Sequence, residues 1–132
     1  MNYLLDTHTF IWTISEKGKL SSIVKQTIEN PTNNIFVSAI TFWEISLKFS
    51  IGKLELKGIS PENLPEVAVQ SGFRLIPLSP EESATHHQLM LTKHKDPFDR
   101  MLIWQSIQRN LIFISKDERL KSYNLSGLKT LW

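Results

Sequence analysis

The sequence predicts an α/β protein: residues 1–132 as one domain, a three-layer α/β/α sandwich on a central, mainly parallel sheet of about five short strands. Three observations carry this prediction. Short β-branched and aromatic runs alternate with longer segments of helical period. The run LIFISKD at 111–117 is apolar without alternation up to its last residues, as in a strand buried on both faces. Two of the runs, YLLD at 3–6 and LIFISKD, end on an aspartate, which puts Asp6 and Asp117 at one rim of such a sheet. Open α/β sheets bind ligands at that rim, beyond the carboxyl ends of the strands.

The elements follow in order. YLLD opens as a strand and THTFIWTIS (7–15) turns into a helix, with Phe10, Ile11 and Ile14 at helical spacing. Gly18 breaks it, and LSSIVKQTIEN (20–30) is a second helix with a serine cap and Pro31 beyond its end. NIFVS (34–38) is a second strand. AITFWEISLKFSIGK (39–53) is the most strongly helical segment, closed by Gly52. SPENLPEVAVQSG (60–72) begins with Ser60 and Pro61, ends at Gly72, and has Pro65 blurring its first turn. FRLIPL (73–78) is a strand whose proline suggests a sheet edge. SPEESATHHQLML (79–91) repeats the Ser-Pro helix start, and PFDRMLIWQSIQRN (97–110) is another long helix. After LIFISKD, ERLKSYN gives a helical turn or two and LKTLW (128–132) a last strand.

Bulk properties narrow the function. Hydrophobic residues make up 41% and charged residues 21%, which suits a folded globular chain. The absence of cysteine excludes a disulfide scaffold, a thiolate metal site and a cysteine nucleophile. No stretch approaches the ~20 apolar residues of a membrane span. MNYLLDTH has no basic leader region and its apolar run is interrupted by Asp6, so no signal peptide and a cytoplasmic location are expected. A net charge of +2 neither demands nor excludes nucleic acid. No Gly-rich phosphate loop is present. A phospho-acceptor receiver would carry paired acids after the first strand, where Asp6 stands alone.

The chain has only four aspartates: Asp6, Asp96, Asp99 and Asp117. In HKDPFDRMLIWQS (94–106), Asp96 suits an N-cap, Pro97 the first helical position and Asp99 the positive end of the helix dipole. Glu44 is harder to explain that way. It sits mid-helix beside an apolar stripe of Ile40, Trp43 and Leu47, and either pairs with Lys48 on an exposed face or leans towards the rim of Asp6. Carboxylates gathered in a partly buried cleft repel unless protons or cations neutralise them. Oxygen ligands without cysteine favour a hard cation, Mg²⁺ or Mn²⁺.

LLDTH, VSAITFWEI, DPFDRMLIWQS and ISKDERL, in this order and spacing, closely resemble the PIN-domain family, in particular its VapC-type toxin ribonucleases from bacterial type II toxin–antitoxin pairs. The DPFDR block and the WEIS-x-K-x-S-x-G-K-L block are the sharpest parts, and the likeness covers nearly the whole chain. It implies a Mg²⁺-dependent endoribonuclease whose acidic quartet is Asp6, Glu44, Asp99 and Asp117, both as metal ligands and as catalytic residues, with Asp96 as the helix cap. Small hydroxyl residues beside the family's acids match Thr7, Ser38 and Ser115; Thr7, Ser115 and Arg100 are expected to help hold substrate. The resemblance further implies an RNA substrate, a cognate small antitoxin, whose segment the apolar helical pair at 8–30 would suit, and a homodimer. The alternative is a catalytically silent PIN-like module that binds RNA or protein.

Of the remaining residues, His8, His86, His87 and His94 are expected at the surface or an interface, because adjacent helical histidines point about 100° apart and do not easily share a metal. Trp12, Trp43 and Trp104 are expected as core or interface anchors. Among Lys48, Lys53, Lys93, Lys95, Arg100, Lys116 and Arg119, several are expected to ring the cleft and the rest to be solvated.

Overall fold

Five short strands form in the β-branched and aromatic runs: β1 (Asn2–Leu5), β2 (Asn34–Ser38), β3 (Arg74–Ile76), β4 (Ile112–Ile114) and β5 (Lys129–Leu131). In this computed structural model, which describes residues 1–132, they lie in the order β3-β2-β1-β4-β5. Every pairing is parallel. β3 is an edge strand; Pro77 falls just past its end, where no ladder donor is lost.

The helices are α1 (Thr7–Ser15), α2 (Ser22–Glu29), α3 (Ala39–Ser50), α4 (Leu64–Gln70), α5 (Pro80–Thr85) and α6 (Pro97–Gln108). Their starts follow the capping chemistry: the side chains of Asp6, Ser21, Ser38, Ser79 and Asp96 each accept a backbone N–H of the helix they open. Two expected helices are shorter than their sequence period. The segment from Ser60 begins as a 3₁₀ turn, Pro61–Asn63, because Pro65 lacks the N–H that an α-helical first turn would use. The segment from Ser79 leaves α geometry after Thr85 and ends in the 3₁₀ turn His86–Gln88. The turn after Asp117 is longer than expected, a 3₁₀ run over Glu118–Ser126, closed by Gly127 at φ 91°. No helix is long and apolar enough to cross a membrane.

Strand side chains alternate between two cores, one on each face of the sheet. Tyr3, Leu5, Ile35, Val37 and Ile114 pack with Phe10, Val24, Ile45 and Leu64 on one face. Leu4 and Phe113 pack with Leu102, Ile103, Trp104, Leu120 and Tyr123 on the other. Leu4 and Leu5 are both fully buried, which explains why YLL shows no polar alternation. The chain winds from β1 outward through β2 to β3, then returns to the other side of β1 for β4 and β5. The direction of winding therefore reverses between β1 and β4, and a crevice opens beyond their carboxyl ends.

Candidate active site

Asp6 is the residue after β1. Its amide donates to Ile114 O at 3.0 Å, extending the ladder with β4 by one step. Its carboxylate accepts from Thr9 N at 2.7 Å, capping α1, and from Ser115 Oγ at 2.5 Å. Burial pushes the Asp6 carboxyl up, against the hydrogen bonds from Ser115 and Thr9. Ser115, just after β4, also accepts from Asp117 N at 3.2 Å. One hydroxyl thus ties the ends of β1 and β4 together, holding the Asp6 carboxylate on one side and the Asp117 backbone on the other.

Asp117 caps the following 3₁₀ run and meets Arg119 side-on, at 2.7 Å from Nη2 to Oδ2 and 3.0 Å from Nε to Oδ1. That guanidinium holds its carboxyl below the usual value. Asp6, Asp99, Asp117, Lys116 and Arg119 line one cleft of about 310 Å³ with His8 and Trp12. A larger cavity of about 620 Å³ near Thr13, Lys25 and Phe73 holds none of these acids and has no comparable chemistry.

Glu44 enters from α3. It is only 1% exposed, although it sits mid-helix. Thr7 Oγ1 donates to Oε1 at 2.6 Å and Lys48 Nζ to Oε2 at 2.5 Å. The i,i+4 pair with Lys48 therefore forms, but its acidic end is inside the protein. Burial works against the Lys48 charge, yet the bond to Glu44 and the nearby Asp96 and Asp99 outweigh it and raise its pKa.

Asp99 is the hub. It lies one turn into α6, whose cap is Asp96 (Asp99 N to Asp96 Oδ1, 3.0 Å). Oxygens of Glu44, Asp96 and Asp99 all lie within 4.8 Å of one another, and so do ligand atoms of His94, Asp99 and Asp117. Burial first, then the charges of Asp96 and Glu44, push the Asp99 carboxyl up to about 6. This is the repulsion that a cation would relieve. A set of carboxylate oxygens without a thiolate suits a hard divalent cation, so the residues present fit a metal centre.

The PIN domain family model matches residues 3–124. The chain belongs to the PIN-domain family. It is 27% identical over 129 residues to ribonuclease VapC22 of Mycobacterium tuberculosis, covering 98% of this chain and 97% of that protein. Among solved structures it is similar to VapBC2 from Rickettsia felis, bound to a promoter DNA fragment (TM-score 0.70, 15% identity, 99% of this chain and 98% of the other). It is also similar to DNA-bound VapBC from Salmonella typhimurium (TM-score 0.64, 19% identity, 99% and 97%).

Several residues of this PIN domain stand elsewhere than expected. His94 is not a surface histidine. It is 5% exposed, with Nε2 3.2 Å from Asp99 Oδ2. Nothing in the periodicity of HKDPFDR reports this, because the stretch before α6 folds back on the helix without a regular element. Arg100 adjoins Asp99 in sequence but does not line the cleft. Its guanidinium donates to Met90 O at 3.1 Å, Leu89 O at 3.3 Å and Tyr123 Oη at 2.9 Å, which uses it to fasten the 89–94 stretch to α6. Thr7 is buried on Glu44, and Ser38 is buried with Gln105 and caps α3. His8 is exposed at the cleft, while His86 and His87 lie on the turn after α5. Trp104 is a core residue, whereas Trp43 is 59% exposed and meets Phe98 edge-on at 5.0 Å, one residue from Glu44 and Asp99 respectively.

Proposed function

We propose that this PIN-domain protein is a divalent-metal-dependent endoribonuclease, the toxin of a toxin–antitoxin pair. The observation that carries the reading is the convergence of Asp6, Asp99 and Asp117 in one cleft at the β1/β4 switch point, with Glu44 buried against Asp99. The likeness to a ribonuclease and to VapBC complexes supports it.

In this reading Asp6 and Asp99 hold a Mg²⁺ or Mn²⁺ ion, and Glu44 and Asp117 complete the anionic pocket as catalytic residues. Such an ion, when bound, offsets charge on a phosphate and makes a bound water more acidic. The chain's own groups do the rest. Ser115 and Thr9 fix the Asp6 carboxylate, and Thr7 and Lys48 fix Glu44, so Thr7 and Ser115 act by holding acids in place. In this reading Lys116 and Arg119, which line the cleft, supply positive charge for the phosphates of an RNA strand, Arg119 while it stays paired with Asp117. Arg100 is left out of that role by its carbonyl and tyrosine partners. In-line displacement leaves a 5′-phosphate and a 3′-hydroxyl. The same reading gives the protein a cognate small antitoxin, a homodimeric assembly and a cytoplasmic location.

The test is purified protein with RNA and Mg²⁺, with and without EDTA, beside Asp6→Asn. Fragments that appear only with wild type and metal are expected; equal cleavage by Asp6→Asn sinks the assignment. A silent binding module would instead retain RNA through chelation and yield no products.

A further inference from the structure

His94 is built into the structure from every side. Its backbone N–H donates to Thr92 Oγ1 at 3.1 Å. Its ring packs edge-on against Tyr123, and Nδ1 lies 3.4 Å from the Tyr123 hydroxyl. That hydroxyl oxygen accepts from Arg100 Nη1 at 2.9 Å. A guanidinium only donates, so the tyrosine's own hydrogen is free for Thr92 Oγ1, 2.9 Å away, for Nδ1, or for His94 O at 3.4 Å. At the other end, Nε2 faces Asp99 Oδ2 at 3.2 Å. An ionised carboxylate only accepts, so the proton of this bond belongs to Nε2. No hydrogen bond from the protein reaches Asp99 Oδ1, and Asp99 lines the cleft.

A carboxylate on a helix turns easily about its last torsion, which is broad and roughly two-fold. Bound at one oxygen by a buried, immobile donor, it presents the other in one direction. From this arrangement we propose that His94 is a positioning residue: its Nε2–H holds Asp99 Oδ2 so that Oδ1 is presented to the divalent cation. Arg100 and Tyr123 hold the imidazole in turn. The inference rests on reading the acidic cleft as a cation site, and it adds to that reading a residue outside the acidic quartet. Groups that orient metal ligands in this way are worth about 10- to 100-fold in metal affinity.

The experiment is calorimetric titration of Mn²⁺ into the metal-free full chain, comparing wild type, His94→Asn and His94→Gln, with folding checked by near-UV circular dichroism. Glutamine can place an amide N–H near the position of Nε2, whereas asparagine is one methylene too short. The expected result is affinity about 10-fold or more weaker in His94→Asn and within a few-fold of wild type in His94→Gln. A purely packing role would lower the melting temperature of both variants and leave Mn²⁺ affinity alone. Wild-type affinity in folded His94→Asn overturns the inference; so does a tenfold loss in His94→Gln, which decides the matter even if the asparagine variant does not fold. If wild type itself takes up no Mn²⁺, the cation-site reading fails and the inference falls with it. Binding that is equal in wild type and His94→Asn removes the inference alone.

Discussion

Without a metal, the charge at Asp99 works against the fold. Its carboxyl is raised from an ordinary value of 3.8 to about 6, by burial and by the carboxylates of Asp96 and Glu44. The folded chain thus holds the proton more tightly than the unfolded one. The stability this gives is fully present below pH 3.8 and is lost as pH rises through about 6. At roughly 1.4 kcal/mol per tenfold of acidity, keeping Asp99 ionised in the folded state at pH 8 costs about 3 kcal/mol. Asp99→Asn removes the charge and keeps an oxygen for His94 Nε2, though a neutral acceptor forfeits about 1 kcal/mol of that bond. The variant is therefore expected to be more stable than wild type by about 2 kcal/mol in EDTA at pH 8, or about 6–10 °C in melting temperature. The advantage fades towards pH 4. Urea denaturation at both pH values measures it. Adding Mn²⁺ at a hundred times its dissociation constant stabilises wild type by about 2.7 kcal/mol and reverses the order. An Asp99→Asn protein less stable than wild type in EDTA at pH 8 would refute the account of charge crowding.

Lys48→Met leaves the buried Glu44 carboxylate with Thr7 as its remaining hydrogen-bond donor. It should cost about 1.5–3 kcal/mol in EDTA, and the deficit should narrow when Mn²⁺ is added; denaturation with and without the ion checks both. Arg119→Ala frees both oxygens of Asp117, whose pKa should return upward towards the ordinary carboxylate value. Mn²⁺ affinity should increase severalfold in low salt with an unchanged melting temperature, and weaker binding would mean that Arg119 orients Asp117 rather than competing for it. Glu82 provides a control away from the acids. Burial opposes its charge, but bonds from Arg109, the Ser79 amide and Gln105 hold its carboxyl down to about 2, so its contribution is present above pH 4.5 and lost as pH falls through about 2. Glu82→Gln should lose about 2–3 kcal/mol at pH 7 and leave Mn²⁺ titrations unchanged.

The alternation of strand and helix, the Ser and Asp caps and the continuous apolar run of β4 were legible because each depends on neighbours a few residues away. Local chemistry also placed Asp6 and Asp117 at one rim, since both follow strands of a parallel sheet. Asp96 was legible as a cap, but its second property, an oxygen within 4.8 Å of Glu44 and Asp99, was not. Glu44 remained open between solvent and cleft, because a period of 3.6 gives a helix face and not what covers it. The packing of α3 against α1 takes it out of solvent and onto Thr7. His94 and Arg100 went the other way: charge and proximity in sequence suggested Arg100 for phosphate and left His94 at the surface. The fold-back of residues 89–94 onto α6 buries both, Arg100 on the carbonyls of Leu89 and Met90 and His94 on Asp99.

Residue order alone therefore determined the layers of this protein, its helix starts and the edge at which its acids gather, all of them consequences of short-range geometry. Which oxygen each acid points, which donor holds it and how far its proton affinity shifts were decided only by the tertiary structure. Hydrogen bonds and charge repulsion act over a few ångströms of space, and here they join groups as far apart in the chain as Asp6 and Ser115.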